Sequence, residues 1–153
     1  VFQLNDLTAR DLMLPRVSAP TLNGATRLEE LRDLLLTDDS PWWVVLGEEV
    51  DEVLGVASRD QLLTALVQGR GHATAARLSE PVEFVPEMIR ADRLLTSFRR
   101  SRDSVRVVVD EFGAFVGLIG AEVVLAVLAG WTRPRVEPQA LWTSSAAPRS
   151  PKP

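Results

Sequence analysis

The sequence predicts an α+β fold of two similar halves packed through their β-sheets, related by an approximate twofold axis. Three observations carry this. The order strand, helix, strand, strand, helix runs twice along the chain. Each unit, roughly 50 to 60 residues, is too small to bury enough surface alone. Pairing the two sheets covers both apolar faces and leaves two equivalent clefts between the halves.

The elements follow in order. The first half opens on the extended stretch "VSAPTL" (17–22). Thr26, with Glu29 three residues on, forms a capping-box pattern, and Leu28, Leu31 and Leu35 then share one helical face. "WWVVL" (42–46) and "VLGVAS" (53–58) read as strands joined by the turn "GEEVDE", and "RDQLLTALVQ" as a helix closed by Gly69. The second half begins with "VEFVP" (82–86). It continues with a helix carrying Leu94, Leu95 and Phe98, the strand "VRVVVD", the turn "EFGA", the strand "FVGLI" and the helix "AEVVLAVLA" ended by Gly130. The expected division is an N-terminal segment with the first unit over 1–69, a linker over 70–81, the second unit over 82–131 and a disordered Pro-rich tail over 132–153. That tail holds five of the ten prolines and almost no periodic apolar signal, with Trp142 as a short contact point.

Composition narrows the chemistry. The chain has 153 residues, 46% of them hydrophobic, with no Cys, no Tyr and one His. Thiolate catalysis, disulfides and Cys-based zinc sites are excluded, and most triads and acid/base pairs lack a member. His72 lies in a small-residue connector and reads as an exposed, idle imidazole. The net charge is -4, although residues 132–153 carry Arg133, Arg135, Arg149 and Lys152 against Glu137, so the body is the acidic part. An acidic body argues against a nucleic-acid partner. No basic and apolar leader follows Val1, which is the expectation for a segment of a longer chain. Residues 113–131 carry a single charge, Glu122, but Gly117 and Gly120 interrupt them, so a strand and a buried helix are expected in place of a membrane span.

Three stretches carry a resemblance: "FQLNDLTARDLMLPR" at the start, "FVPE" (84–87), and "VVVDEFGAFVGLIGAEVVL" (107–125). Over residues 2–131 the chain resembles the tandem CBS (cystathionine β-synthase) domain, or Bateman module. More narrowly it is similar to the cytoplasmic pair of CorC/HlyC-type magnesium and cobalt efflux proteins, relatives of the cyclin-M transport mediators. The resemblance implies a regulatory domain on the cytoplasmic side of a membrane ion transport protein, partnered by a membrane domain of the same polypeptide and by a second copy in a homodimer. It also implies binding of adenine nucleotide, AMP or ATP, with magnesium.

In such modules a Thr or Ser on the last strand contacts phosphate, and an Asp three residues later takes the ribose hydroxyls, beside a helix N-terminus that favours the anion. Here those positions fall on Ser58 and Gln61 in the first half and on Gly120 and Val123 in the second. Asp60 is one position out of phase, about 100° around the helix. The Thr of the opening motif is Leu14, and the family's Ser-Arg-x-Pro-Val reads Ser40, Pro41, Trp42, Trp43, Val44, without the phosphate-binding Arg. The stretch therefore has the shape of a nucleotide cradle with its polar atoms removed. Gly117 is assigned to close strand packing and Gly120 to the turn into the helix.

Other candidates reduce to surface features. Glu48, Glu49, Asp51 and Glu52 read as a solvated turn, since an octahedral magnesium site needs converging oxygens. Arg90, Arg93, Arg99, Arg100, Arg102 and Arg106 read mostly as the outer face of the helix carrying Leu94. Trp42 and Trp43, adjacent on a strand, point to opposite faces, one to the core and one to the cleft or a dimer partner. No catalytic residue and no metal ligand is assigned. Two functions remain open: a degenerate module that couples subunits without nucleotide, and a sensor holding an adenosyl compound through backbone contacts and Ser58.

Overall fold

The computed structural model describes residues 6–100 and 104–130; the tail over 132–153, with Trp142, lies outside them, as does Arg102. The chain order is α1 (Ala9–Leu12), β1 (Leu14–Pro15), β2 (Thr21–Asn23), α2 (Leu28–Thr37), β3 (Trp42–Leu46), β4 (Val53–Ser58) and α3 (Arg59–Val67). There follow α4 (Ala75–Leu78), β5 (Glu83–Pro86), α5 (Ala91–Arg100), β6 (Val105–Val109), β7 (Phe115–Gly120) and α6 (Ala121–Gly130).

The strands form two sheets, ordered β2-β3-β4 and β1-β7-β6-β5. Their pairing repeats. Strand β2 runs parallel to β3 as β5 does to β6, and the following hairpins are antiparallel with matching irregularities at Val45/Leu46 and Val108/Val109. Trp42 stands opposite Ser58 as Val105 stands opposite Gly120.

Each central strand is buried on both sides, which explains its nearly unbroken apolar sequence. Alternate residues face opposite ways. Val44, Val56, Val105, Val107, Phe115 and Leu118 meet between the sheets, while Trp43, Val45 and Ala57 pack under the helices of the first half. Val108, Ile119, Leu94 and Phe98 do the same in the second. The predicted packing of two units through their sheets is therefore what the chain adopts.

Helix α2 starts one residue later than the Thr26–Glu29 pattern predicts. Arg27 precedes the first turn, and Glu30, not Glu29, takes the Arg27 backbone N–H at 3.2 Å. An arginine has no side-chain acceptor, so only the carboxylate half of a capping box forms here. Thr26 instead offers its carbonyl to the Ala75 N–H at 2.9 Å.

The larger departure lies at the two connectors. Residues 70–81 were expected as a plain linker, but they contain α4, whose Ala75 is fully buried in the first-half core. Ala9, Leu12 and Met13, grouped by chain order with the first half, are buried in the core of the second. The connectors are themselves a repeat. "TARDLMLP" (8–15) and "TAARLSEP" (74–81) share Thr, Ala, Leu and Pro at matching places. Thr8 bridges to Arg90 as Thr74 bridges to Arg27, and β1 pairs with β7 as Glu80 pairs with Val56. The chain thus closes the outer edge of each half with the segment that precedes the other. Gly117 and Gly55 permit this approach. A Cβ on Gly117 would strike Met13 Sδ and the Leu14 carbonyl, and one on Gly55 the Glu80 carbonyl.

Arg106 is a second correction, because it is fully buried rather than on the solvated helix face. It occupies on β6 the place of Trp43 on β3, pointing under the helices. The guanidinium donates to the carbonyls of Val105 at 2.9 Å and Ser97 at 3.3 Å, meets the Glu83 carboxylate at 3.1 Å, and stacks 4.5 Å from the Phe98 ring centroid. A charge taken out of water needs such partners.

Phe115 is 1% exposed between the sheets, so Phe115→Ala is expected to lower the unfolding free energy by about 3–5 kcal/mol in urea melts, with both halves still unfolding in one transition. At the buried arginine, Arg106→Met keeps volume and needs no polar partner, whereas Glu83→Ala leaves the guanidinium with fewer acceptors. Glu83→Ala is therefore expected to be the more destabilising, by about 1–3 kcal/mol, in the same measurement.

Candidate functional site: two unlike clefts

In the first half the start of β3 and the start of α3 are held side by side. The Arg59 N–H donates to the Pro41 carbonyl at 2.9 Å, and Trp42 pairs with Ser58. Ser58 is the residue before the first turn of α3, and its hydroxyl accepts the Gln61 N–H at 3.1 Å, closing one of the free donors at a helix start. Pro41, Trp42, Ser58 and Gln61, with Ser40 next in the chain to Pro41, thus lie at one junction.

Their side chains are largely committed. The Ser40 hydroxyl donates to Asp38 at 2.6 Å. Trp43 is core, 2% exposed, with its indole N–H on the Ser40 carbonyl at 2.9 Å. Trp42 is half-buried and packs against the cluster between the sheets. The two tryptophans therefore do point apart, as strand geometry requires.

Sequence reasoning missed Glu80. Two backbone hydrogen bonds with Val56, of 3.0 and 2.7 Å, fix it at the outer edge of β4, and its carboxylate accepts from the Gln61 amide at 2.7 Å. The available signal was the repeat of "LMLP" in "LSEP", which places Glu80 where Leu14 stands in the other half. Next to this pair a cavity of about 480 Å³ opens between α3 and α4.

The second half has the same backbone frame with other side chains. The Ala121 N–H donates to the Ser104 carbonyl at 2.8 Å, as Arg59 does to Pro41. Where Ser58 caps α3, Gly120 has no hydroxyl, and where Gln61 reaches Glu80, Val123 is 1% exposed. Leu14 lies on β1 opposite Leu118. These three positions therefore offer no side-chain donor or acceptor. Gly120 remains a strand residue paired with Val105 and does not adopt a positive φ, so the turn into α6 needs no left-handed residue there.

The acidic hairpin 48–52 is tied back instead of open, because Arg16 donates to Asp51, while the Arg16 guanidinium lies 5.4 Å from the Phe115 ring centroid. Among the described residues no three Asp, Glu or His side chains converge as a metal site, and no helix is long and apolar enough to cross a membrane.

No protein-family model matches the chain. Among curated proteins it is 46% identical over 130 residues to a UPF0053 protein of Synechocystis sp., covering 85% of this chain and 38% of that one. It is 31% identical over 130 residues to the magnesium and cobalt efflux protein CorC of Pasteurella multocida, covering 85% and 43%. The chain thus spans less than half the length of these relatives. Among solved structures it is similar to the CBS domain of a bacterial CNNM/CorC family Mg2+ transporter in complex with ATP, at 33% identity and a TM-score of 0.76, covering 83% of this chain and 90% of that one. Two CBS-type halves joined through their sheets, at that identity over nearly the whole of the solved domain, place the assignment beyond fold alone: the chain belongs to the CNNM/CorC family, as its CBS-domain pair.

Proposed function

We propose that the chain is a non-catalytic regulatory and dimerisation module of a CorC-like ion transport protein, acting on the cytoplasmic side of the membrane, with the second-half cleft no longer able to grip a nucleotide. The observation that supports this most is Val123, an apolar side chain 1% exposed, followed by the loss of the capping hydroxyl at Gly120. A ribose needs hydrogen-bonding groups and a phosphate needs donors. The three positions Leu14, Gly120 and Val123 supply neither from their side chains, and together the losses weaken binding by orders of magnitude. The chain divides functionally into two units with their connectors exchanged, so that displacing one connector disturbs the opposite half.

A second reading is favoured by one specific observation. The first-half cleft keeps Ser58, Gln61 and Glu80 beside an open cavity, and the solved relative holds ATP. On this reading the module senses adenine nucleotide, AMP or ATP with Mg, through one cleft per chain.

Light scattering of the purified chain is expected to give the mass of a dimer; a monomer at all concentrations overturns the dimerisation role. Calorimetric titration with AMP and with ATP and Mg is expected to give no more than one nucleotide per chain. Two equivalents per chain would show that the second-half cleft still binds, against the first reading.

A further inference from the structure

We propose that the end of the molecule where the two strand hairpins turn is a docking surface for the chain's own basic, tryptophan-containing segment 131–142, which follows α6. Strands β4 and β7 start at this end and finish at Ser58 and Gly120, so the surface lies away from the two helix starts and does not depend on nucleotide binding.

Arg16 brings the two turns together. Its backbone N–H donates to the Val116 carbonyl at 2.8 Å, and its guanidinium donates to the Phe115 carbonyl at 3.3 Å, at the start of β7. The same guanidinium donates to Asp51, in the turn between β3 and β4. Residues 110–114 lead directly into Phe115, so both turns stand around this arginine. Asp51 holds φ 63°, at the turn position that Gly113 fills with φ 83° in the other half, and Arg16 anchors its carboxylate. Asp110 accepts the Phe112 and Ala114 N–H groups, both at 2.9 Å, and fixes the second turn. The surface is therefore preformed, which lowers the cost of docking.

Its exposed groups are of two kinds. Val17, Val50 and Phe112, each beside or within these turns, are 95%, 86% and 88% exposed. Such side chains are ordinary when scattered, but three at one end make a patch that is stabilised by being covered. Around them Glu48, Glu49 and Glu111 are exposed, and none has an ion-pair partner among the described residues. The fitting occupant is basic and apolar together.

The sequence after Gly130 has that chemistry, with Arg133 and Arg135 against Glu137, and Trp131, Val136, Leu141 and Trp142 among them. It also starts in the right place. Helix α6 leaves β7 at the strand end away from the 110–114 turn and packs Val124 and Val127 into the second-half core with Val85 and Val108. It therefore runs back along the sheet. Its 10 residues cover about 15 Å, against about 20 Å for the 6 residues of β7, so Gly130 returns toward the hairpin end. From Gly130 to Trp142 an extended chain reaches about 40 Å, while packed sheets stand only about 10 Å apart. Both turns are within its range. Pro134 and Pro138 each fix a backbone dihedral, so the segment loses less freedom on docking.

The chain has no cysteine, so a nitroxide on Ser144→Cys of the full chain reports where the segment lies. Paramagnetic broadening of backbone amide signals is expected at Val17, Val50 and Phe112, and not at Ser58 or Gly120. It is expected to be lost in the double change Arg133→Glu, Arg135→Glu and in Phe112→Ser, which alters an exposed side chain; a melting curve for each variant controls for folding. Broadening that survives either change, that falls on other residues, or that is absent overturns the docking. In a one-to-one mixture of isotope-labelled chain without nitroxide and unlabelled chain with it, the Phe112 signal is expected to stay sharp. Broadening of Phe112 in that mixture assigns the segment to a second copy and overturns docking within one chain.

Discussion

Burial of both faces of each central strand is the constraint on which the rest of this molecule depends. Val44, Val56, Val105, Val107, Phe115 and Leu118 have no cover except the opposite sheet, and the helices cover only the other side. Neither half can expose that surface and remain folded, since half a molecule of this size buries too little area to offset chain entropy. The approximate twofold relation of the halves follows from this contact.

The exchanged connectors extend the same dependence. With α1 and β1 on the second half and α4 and Glu80 on the first, each half is completed by a segment that leads into the other. Gly117 and Gly55 are the local requirement, because any side chain there meets backbone or Met13. A force or ligand acting on residues 8–15 is therefore felt first at β7 and the second-half core. One acting on 74–81 is felt at β4 and at the Gln61–Glu80 pair.

One backbone frame at the two helix starts carries different side chains. Ser58, Gln61 and Glu80 are polar in the first half; Gly120, Val123 and Leu14 are apolar in the second. Duplicated folds allow this divergence because the frame is held by backbone pairing, here Arg59 to Pro41 and Ala121 to Ser104, and not by the groups that face a ligand.

The order of the strands and the long helices was legible from the chain because it rests on local signals: alternation and continuity of apolar residues, a positive-φ glycine closing α3 at Gly69, and a Gly-containing hairpin turn at Gly113. The lack of polar side chains at Gly120 and Val123 was equally legible, since it is a matter of residue type. The start of α2 lies one residue beyond the Thr26 pattern, where Glu30 takes the Arg27 N–H and the Thr26 carbonyl is engaged by the distant Ala75 N–H. What only the tertiary structure decided is which distant groups meet: α1 on the second half, Arg106 beneath a helix with Glu83, and Glu80 against Gln61. Those pairings depend on how two sheets and their edges close on each other, and no periodicity within a short stretch of sequence encodes a contact between its two far ends.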